Sequence, residues 1–230
     1  GEEEIRKGKL GFVTMAGGQG TRLGHKGPKG TFELVEGKTL FEIIFSTLQK
    51  GAKQYNVVIP WYIMTSRENH EETVKFFEQK NYFGYGKENI YFFKQGELPM
   101  ISQNGKILLD KNGFVKEAAD GHGGTFEAIV RNHVLDDMKK RGIEWVFIAG
   151  VDNPLVKMVD PIFIGLSKQK NVLVSGKSLV KANPSEKVGV FCKRNGRPSV
   201  IEYTEISKEL TEKTDENGEF LFGEAHVLMN

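Results

Sequence analysis

The chain has 230 residues, enough to bury one substantial core or one core with a small appendage. A formal net charge of +2 excludes a global pull toward nucleic acid or an anionic membrane surface, and no segment reaches the roughly twenty apolar residues that a membrane-spanning helix needs. The single cysteine, Cys192, excludes an internal disulfide and a cysteine-rich zinc site, and the charged start GEEEIRKGK lacks the apolar stretch of a signal peptide, so a cytoplasmic protein is expected.

Strand-like runs rich in β-branched and aromatic residues come first at LGFVTM (10–15), then at NVVIPWYIMTS (56–66), NIYFFK (89–94), WVFIAGV (145–151) and NVLVSGK (171–177). Helical patterns separate them. TLFEIIFSTLQKGAKQY opens at Thr39, and NHEETVKFFEQK opens at Asn69, a residue type that caps helix starts, with acids in the first turn. GTFEAIVRNHVLDDMKKRG sets Phe126, Ile129, Val130, Val134, Leu135 and Met138 on one face and stops at Gly142. Strands alternating with helices predict an α/β fold, a mainly parallel sheet with helices on both faces. Two stretches interrupt the alternation as inserted hairpins, one about Asn112-Gly113 and one about Asn195-Gly196. A single domain over residues 1–230 is expected. FLFGEAHVLMN ends it on a strand-like run without a cap or closing helix, so the domain is read as incomplete at its carboxyl end.

Between the first strand and the helix at Thr39 lies MAGGQGTRLGHKGPKG (15–30), with six glycines and the cations Arg22, Lys26 and Lys29. Glycine permits left-handed backbone and close approach to a ligand, and successive N–H groups in such a turn bind anions. The loop reads as a phosphate cradle at the carboxyl end of a strand, where α/β sheets bind ligands. Two familiar cradles do not fit. Leu23 stands where the dinucleotide fingerprint needs its third glycine, and Lys29-Gly30-Thr31 reverses the lysine and glycine of the P-loop. A long strand-to-helix turn is the bland reading, but such a turn has no use for clustered cations.

These residues resemble the eukaryotic-type UDP-sugar pyrophosphorylases, most closely the UDP-N-acetylhexosamine branch. The family loop L-x-x-G-G-x-G-T-x-L-G followed by P-K-G stands here as MAGGQGTRLG and Pro28-Lys29-Gly30. PWYIMTS (60–66), FFKQGELP (92–99), ADGHGG (119–124), VDNPLVKMVDP (151–161), KVGV (187–190) and EYTEIS (202–207) are similar to the family in the same order. The resemblance implies a Rossmann-like nucleotidyltransferase fold. It also implies uridylyl transfer from UTP to a sugar 1-phosphate, giving a UDP-sugar and pyrophosphate with Mg2+ as cofactor. UTP and the sugar phosphate are then the partners; no nucleic acid or membrane partner is expected.

By the same resemblance Ala16, Gly17, Gly18, Gly20 and Thr21 line the nucleotide, and Gly18 meets the uracil through its backbone. Arg22 and Lys29 neutralise the triphosphate and the leaving pyrophosphate, because electrostatics and positioning carry most of the rate in phosphoryl transfer. Lys26 is read as a solvated surface lysine. Gln95 suits the polar edge of uracil, since a carboxamide donates and accepts together. Gly121 offers close approach to base or ribose, while its neighbour Asp120 has the plainer reading of a helix cap. Asp152, at a strand's carboxyl end, is the metal ligand expected for Mg2+, which needs one carboxylate besides phosphates and waters. Its plainer reading is the start of the turn before Pro154.

His122, Gly189, Glu202 and His226 match positions that hold the sugar; Glu202 also reads as an ordinary hairpin acid. His122 and His226 stand where the acetylhexosamine branch has asparagine, which pulls the local chemistry toward glucose or a broad sugar range. Cys192 is read as a packed residue, and the five histidines show neither Ser-His-Asp nor zinc spacing. A non-catalytic nucleotide-binding protein on the same fold and an NAD-dependent oxidoreductase are the competing classes. The second is weakened by Leu23.

Overall fold

Leu10–Met15, buried at every position, forms the central strand of a four-stranded sheet in the computed structural model, which describes residues 1–226. In chain order the elements up to the first long helix are α1 (Glu2–Arg6), β1 (Leu10–Met15), β2 (Glu33–Val35), β3 (Lys38–Thr39) and α2 (Leu40–Tyr55). Then come β4 (Trp61–Thr65), α3 (His70–Gln79), β5 (Ile90–Lys94), β6 (Glu97–Pro99) and β7 (Glu117–Ala119). The first of two compact units, Gly1–Asn171, closes with α4 (Thr125–Arg131), α5 (Val134–Lys140), β8 (Trp145–Gly150) and α6 (Pro161–Gln169). The second unit begins at Val172 and contains β9 (Ser178–Val180), β10 (Val190–Arg194), β11 (Arg197–Ile201), α7 (Lys208–Glu212) and β12 (Glu224–His226).

The main sheet has the order β5-β4-β1-β8, and every pairing in it is parallel. Alternation along the strands sends side chains to both faces, and the central strands β1 and β4 are buried at every position and read as continuous apolar runs. Val13, Met15, Tyr62, Met64 and Phe93 pack against Ala128 and Ile129 of α4 and Val134 and Met138 of α5. On the other face Trp61 meets Phe12 of β1, Phe41 and Phe45 of α2 and Phe77 of α3, and Phe147 meets Phe163 of α6. This is the α/β architecture expected from the sequence, with the antiparallel strand pairings confined to the other three sheets.

Local chemistry explains the boundaries. Thr39 opens α2 through a capping box: its Oγ1 accepts from Glu42 N at 3.3 Å, while Glu42 Oε2 accepts from Thr39 N at 2.9 Å. The helix expected over 124–142 is instead two, because His133 adopts a left-handed φ of 59°. Asn132 anchors the break, its Nδ2 donating to Lys94 O at 3.0 Å and its carbonyl accepting from Tyr91 Oη at 3.1 Å. The break turns Phe126 and Val130 outward, each 60 % exposed, against the expectation of one buried face.

The strand expected at 171–177 does not form. Leu173 and Val174 are exposed, and pairing starts only at Ser178, opposite β12. Both hairpins are present. Asp110 N donates to Phe114 O at 2.7 Å across the first turn, with Gly113 at φ 81°. Asn195 and Gly196 join β10 to β11 with both φ values positive, the backbone such a two-residue turn demands.

Candidate functional site

The glycine loop leaves the carboxyl end of β1. It folds back on itself through Gly20 N to Gly27 O at 2.9 Å and Lys29 N to Gly18 O at 3.1 Å. Gly17, Gly18 and Gly20 do not use left-handed backbone; positive φ falls at Gly24 and Gly27. Gly17 matters for space. A side chain on Gly17 would run into the Gln95 carboxamide, whereas one on Gly18 would meet Lys29 Cε only at an ordinary contact distance of 3.7 Å. Gly20 is filled by the His25 ring, whose Nε2 lies 2.9 Å from Thr31 Oγ1. Among the described residues, the N–H groups of Gly17, Gly18, Gln19, Thr21 and Arg22 have no acceptor, which leaves a run of donors for an anion.

Asn69 holds the underside of this loop. It stands at the start of α3 but does not cap it. Its Nδ2 donates to Ala16 O at 2.9 Å and to Gly18 O at 3.2 Å, while its Oδ1 accepts from Ser66 N at 2.9 Å. The side chain is wholly buried. Sequence reading assigned it to the helix because the bond to a loop fifty residues earlier has no local signal.

Across from the loop, Asp152 follows β8, whose pairing continues through Val151 N to Met15 O at 3.0 Å. Lys29 Nζ lies 2.9 Å from Asp152 Oδ1 and 3.0 Å from Oδ2. The expected metal ligand and the expected catalytic lysine therefore form one ion pair. Arg22 sits exposed in a short 3-10 turn with no carboxylate partner among the described residues, so its guanidinium is available. Lys26 is likewise exposed. His122 is exposed; desolvation by the atoms around its ring, opposed by Asp152 and reinforced by the Lys29 ammonium, draws its pKa below the ordinary histidine value. No group of three or more His, Cys, Asp or Glu side chains that would enclose a metal occurs among the described residues.

Gln95 closes the third side. Its backbone N donates to Thr65 O at 2.8 Å, extending β5, and its side chain is packed against Gly17 at 7 % exposure. The carboxamide makes no hydrogen bond among the described residues, so its N–H donors and its acceptor oxygen stay open. Asp120 N donates to Gly96 O at 3.0 Å, which brings Gly121 beside Gln95; Gly121 has φ 73° and open space where a side chain would stand. Asp120 does not cap α4. Its carboxylate is wedged against Gly96 and Gly124, with Oδ1 buried and unpartnered.

The first unit thus brings together Ala16, Gly17, Gly18, Gly20, Thr21, Arg22, Lys29, Gln95, Gly121, His122 and Asp152. In the second unit Val190 pairs with Ile201 on one side and Ala225 on the other, so Gly189, Glu202 and His226 come to the same end of three adjacent strands. A side chain on Gly189 would approach Glu202 Oε1 to 3.0 Å.

Residues 2–226 match the sequence profile of the UTP--glucose-1-phosphate uridylyltransferase family. A probable UDP-N-acetylglucosamine pyrophosphorylase of Dictyostelium discoideum is 39 % identical over 245 residues, covering 100 % of this chain and 50 % of that protein. The UDP-N-acetylglucosamine pyrophosphorylase of Saccharomyces cerevisiae is 42 % identical over 224 residues, covering 95 % and 47 %. A crystal structure of a UDP-N-acetylglucosamine pyrophosphorylase from Entamoeba histolytica, described as putative, superposes with a TM-score of 0.88 at 39 % identity, covering 99 % of this chain and 59 % of that one. The chain spans about half the length of the curated relatives it matches. With a profile match running through both units, the chain belongs to the UTP--glucose-1-phosphate uridylyltransferase family.

Proposed function

We propose that this chain carries the UTP-binding and uridylyl-transfer machinery of a UDP-N-acetylglucosamine pyrophosphorylase. The observation that carries the reading is the unpaired Gln95 carboxamide, buried against Gly17 at the root of a loop whose N–H groups are open. A base-reading edge next to an anion cradle fits a nucleoside triphosphate. A pyrimidine matches the single donor-acceptor pair that Gln95 offers, supplemented by the Gly18 and Gly121 backbones.

In the proposed reaction an oxygen of the sugar 1-phosphate attacks the α-phosphorus of UTP. A new P–O bond forms, the bond to the β-phosphate breaks, and pyrophosphate leaves with the bonding electrons. The open loop N–H groups of Gly17, Gly18, Gln19 and Thr21 orient the triphosphate. Arg22 and Lys29 offset the charge that accumulates on the leaving group, the contribution that matters most in phosphoryl transfer. Asp152 fits Mg2+: it is a half-exposed carboxylate at a strand end, and oxygen ligands from phosphates and water would complete the shell. When bound, the metal would screen the phosphates from one another. Lys29 must then share or surrender its hold on Asp152. His122, Gly189, Glu202 and His226 are proposed to hold the sugar.

A second reading has glucose 1-phosphate, or several sugar phosphates, as substrate. His122 favours it, because an imidazole is bulkier than the asparagine of the acetylhexosamine branch and would crowd an acetamido group. A cytoplasmic setting, with Cys192 reduced, belongs to the same proposal. Calorimetry with UTP, CTP, ATP and NAD tests the nucleotide. UTP should bind most tightly, with each base hydrogen bond worth on the order of 1 kcal/mol; equal or tighter ATP binding would overturn the assignment.

A further inference from the structure

Asn69 has the position of a helix cap, but its side chain makes no capping bond. All three of its side-chain hydrogen bonds go elsewhere, two of them to carbonyls of the glycine loop. Those carbonyls belong to the peptides that join Ala16 to Gly17 and Gly18 to Gln19. Every peptide bond here is trans, and in a planar trans peptide the N–H points opposite to the C=O. Drawing the carbonyls of Ala16 and Gly18 inward therefore turns the N–H groups of Gly17 and Gln19 outward. Both are among the loop donors without an acceptor.

We propose that Asn69 is a positioning residue that sets the ligand-binding face of the glycine loop by anchoring the Ala16 and Gly18 carbonyls. This rests on the reading of the loop as a nucleotide cradle. The anchor is selective in its chemistry. A carboxamide supplies two hydrogens to the two carbonyls and one oxygen to Ser66 N, and no other uncharged side chain of that size supplies the same set. Lys29 N also donates to Gly18 O, so the loop retains one tether when Asn69 is changed, and its fold need not be lost.

Asn69→Asp tests the two donors, because it keeps the shape and the acceptor while facing both carbonyls with oxygen. Asn69→Ala removes the anchor without repulsion. Thr73→Val, one turn along α3 in an equally buried position, is the control for a general effect on the helix. UTP affinity would be measured by calorimetry well below the unfolding temperature of each variant. Amide spectra of the wild-type chain titrated with UTP would be recorded alongside.

The Gly17 and Gln19 amides should shift in the wild type. Both Asn69 variants should bind UTP at least about tenfold more weakly, and Thr73→Val should bind normally. Wild-type affinity in a folded Asn69 variant would overturn the proposal. An equal loss in Thr73→Val would reduce Asn69 to a stabilising residue and overturn it as well. If neither Asn69 variant folds, the wild-type titration decides, and UTP binding without a shift at the Gly17 and Gln19 amides refutes the role. A wild-type chain that binds no UTP would instead sink the nucleotide reading, and this inference with it.

Discussion

Gly17→Ala separates the nucleotide site from the fold. The backbone at Gly17 is outside the left-handed region, so alanine can adopt it without strain. The added methyl would overlap the Gln95 carboxamide, which is the mobile end of a side chain and can swing aside. The cost therefore falls on what the carboxamide reads rather than on the core. Gln95 offers one donor and one acceptor to a base, and each neutral hydrogen bond contributes about 0.5–1.5 kcal/mol net. Losing both removes about 1–3 kcal/mol, or roughly fivefold to a hundredfold in the UTP dissociation constant.

The contrast lies thirteen positions along the same loop. A methyl on Gly30 would overlap the Phe41 ring, which is fully buried and held among Trp61 and Phe77. Gly30→Ala should therefore destabilise by about 1–3 kcal/mol, the usual range for overpacking a core. Urea unfolding and UTP calorimetry on both variants give the comparison. Normal UTP affinity and base selectivity in Gly17→Ala would refute the assignment of Gln95 as the base reader.

Lys29→Ala should lower turnover about a hundredfold or more in a catalytically competent form of the protein, with a smaller effect on UTP affinity; unchanged turnover would make the Lys29–Asp152 pair structural. Asp152→Asn should raise the magnesium requirement steeply, and superimposable magnesium titrations of both forms would leave Asp152 as a partner of Lys29 only. His122→Asn should raise kcat/KM for N-acetylglucosamine 1-phosphate relative to glucose 1-phosphate by about 1–3 kcal/mol of discrimination, and an unchanged ratio would put sugar selection elsewhere. His70, held against Thr65 at 2.8 Å, has its pKa lowered by burial and then by Lys94. As pH falls through the ordinary histidine range the unfolded chain takes up the proton first, so this contribution to stability is present above that range and is lost below it. Urea unfolding at pH 7.5 and 5.5 should show a smaller drop in His70→Gln than in the wild type; equal drops would remove His70 as a cause.

The main sheet was legible because its strands are apolar runs, the two central ones buried throughout. LGFVTM, WYIMT, IYFFK and WVFIAG are apolar enough to be recognised without any partner in view. Thr39 and the Asn195-Gly196 turn were legible for the opposite reason, since a cap and a tight turn depend on a few adjacent residues. Errors came where a distant contact outweighed a local preference. NVLVSGK has the composition of a strand, yet its first residues find no neighbour to pair with and pairing begins at Ser178. The periodicity of 124–142 fits one helix, but Asn132 bonds to Lys94 O and Tyr91, which are forty residues away, and the helix breaks there.

The site divides along the same line. That the glycine loop would offer N–H groups and cations to an anion follows from its residue types, and Arg22 and the open donors at Gly17, Gly18, Gln19, Thr21 and Arg22 agree with that. Which way those N–H groups face does not follow from the loop. A glycine-rich segment has many backbone conformations of similar energy, and the direction of each peptide is chosen by what accepts or donates beneath it. Asn69 makes that choice at two peptides, Lys29 N at one of the same carbonyls, and Gln95 fills the space that Gly17 leaves. The spare glycines thus carry two separate requirements. Gly17 is needed for the close approach of a side chain from β5's end, whereas Gly24 and Gly27 are needed for their positive φ. At Gly17 a substitution that respects φ but not space should spare the fold and damage the site, and at Gly24 one that respects space but not φ should do the reverse.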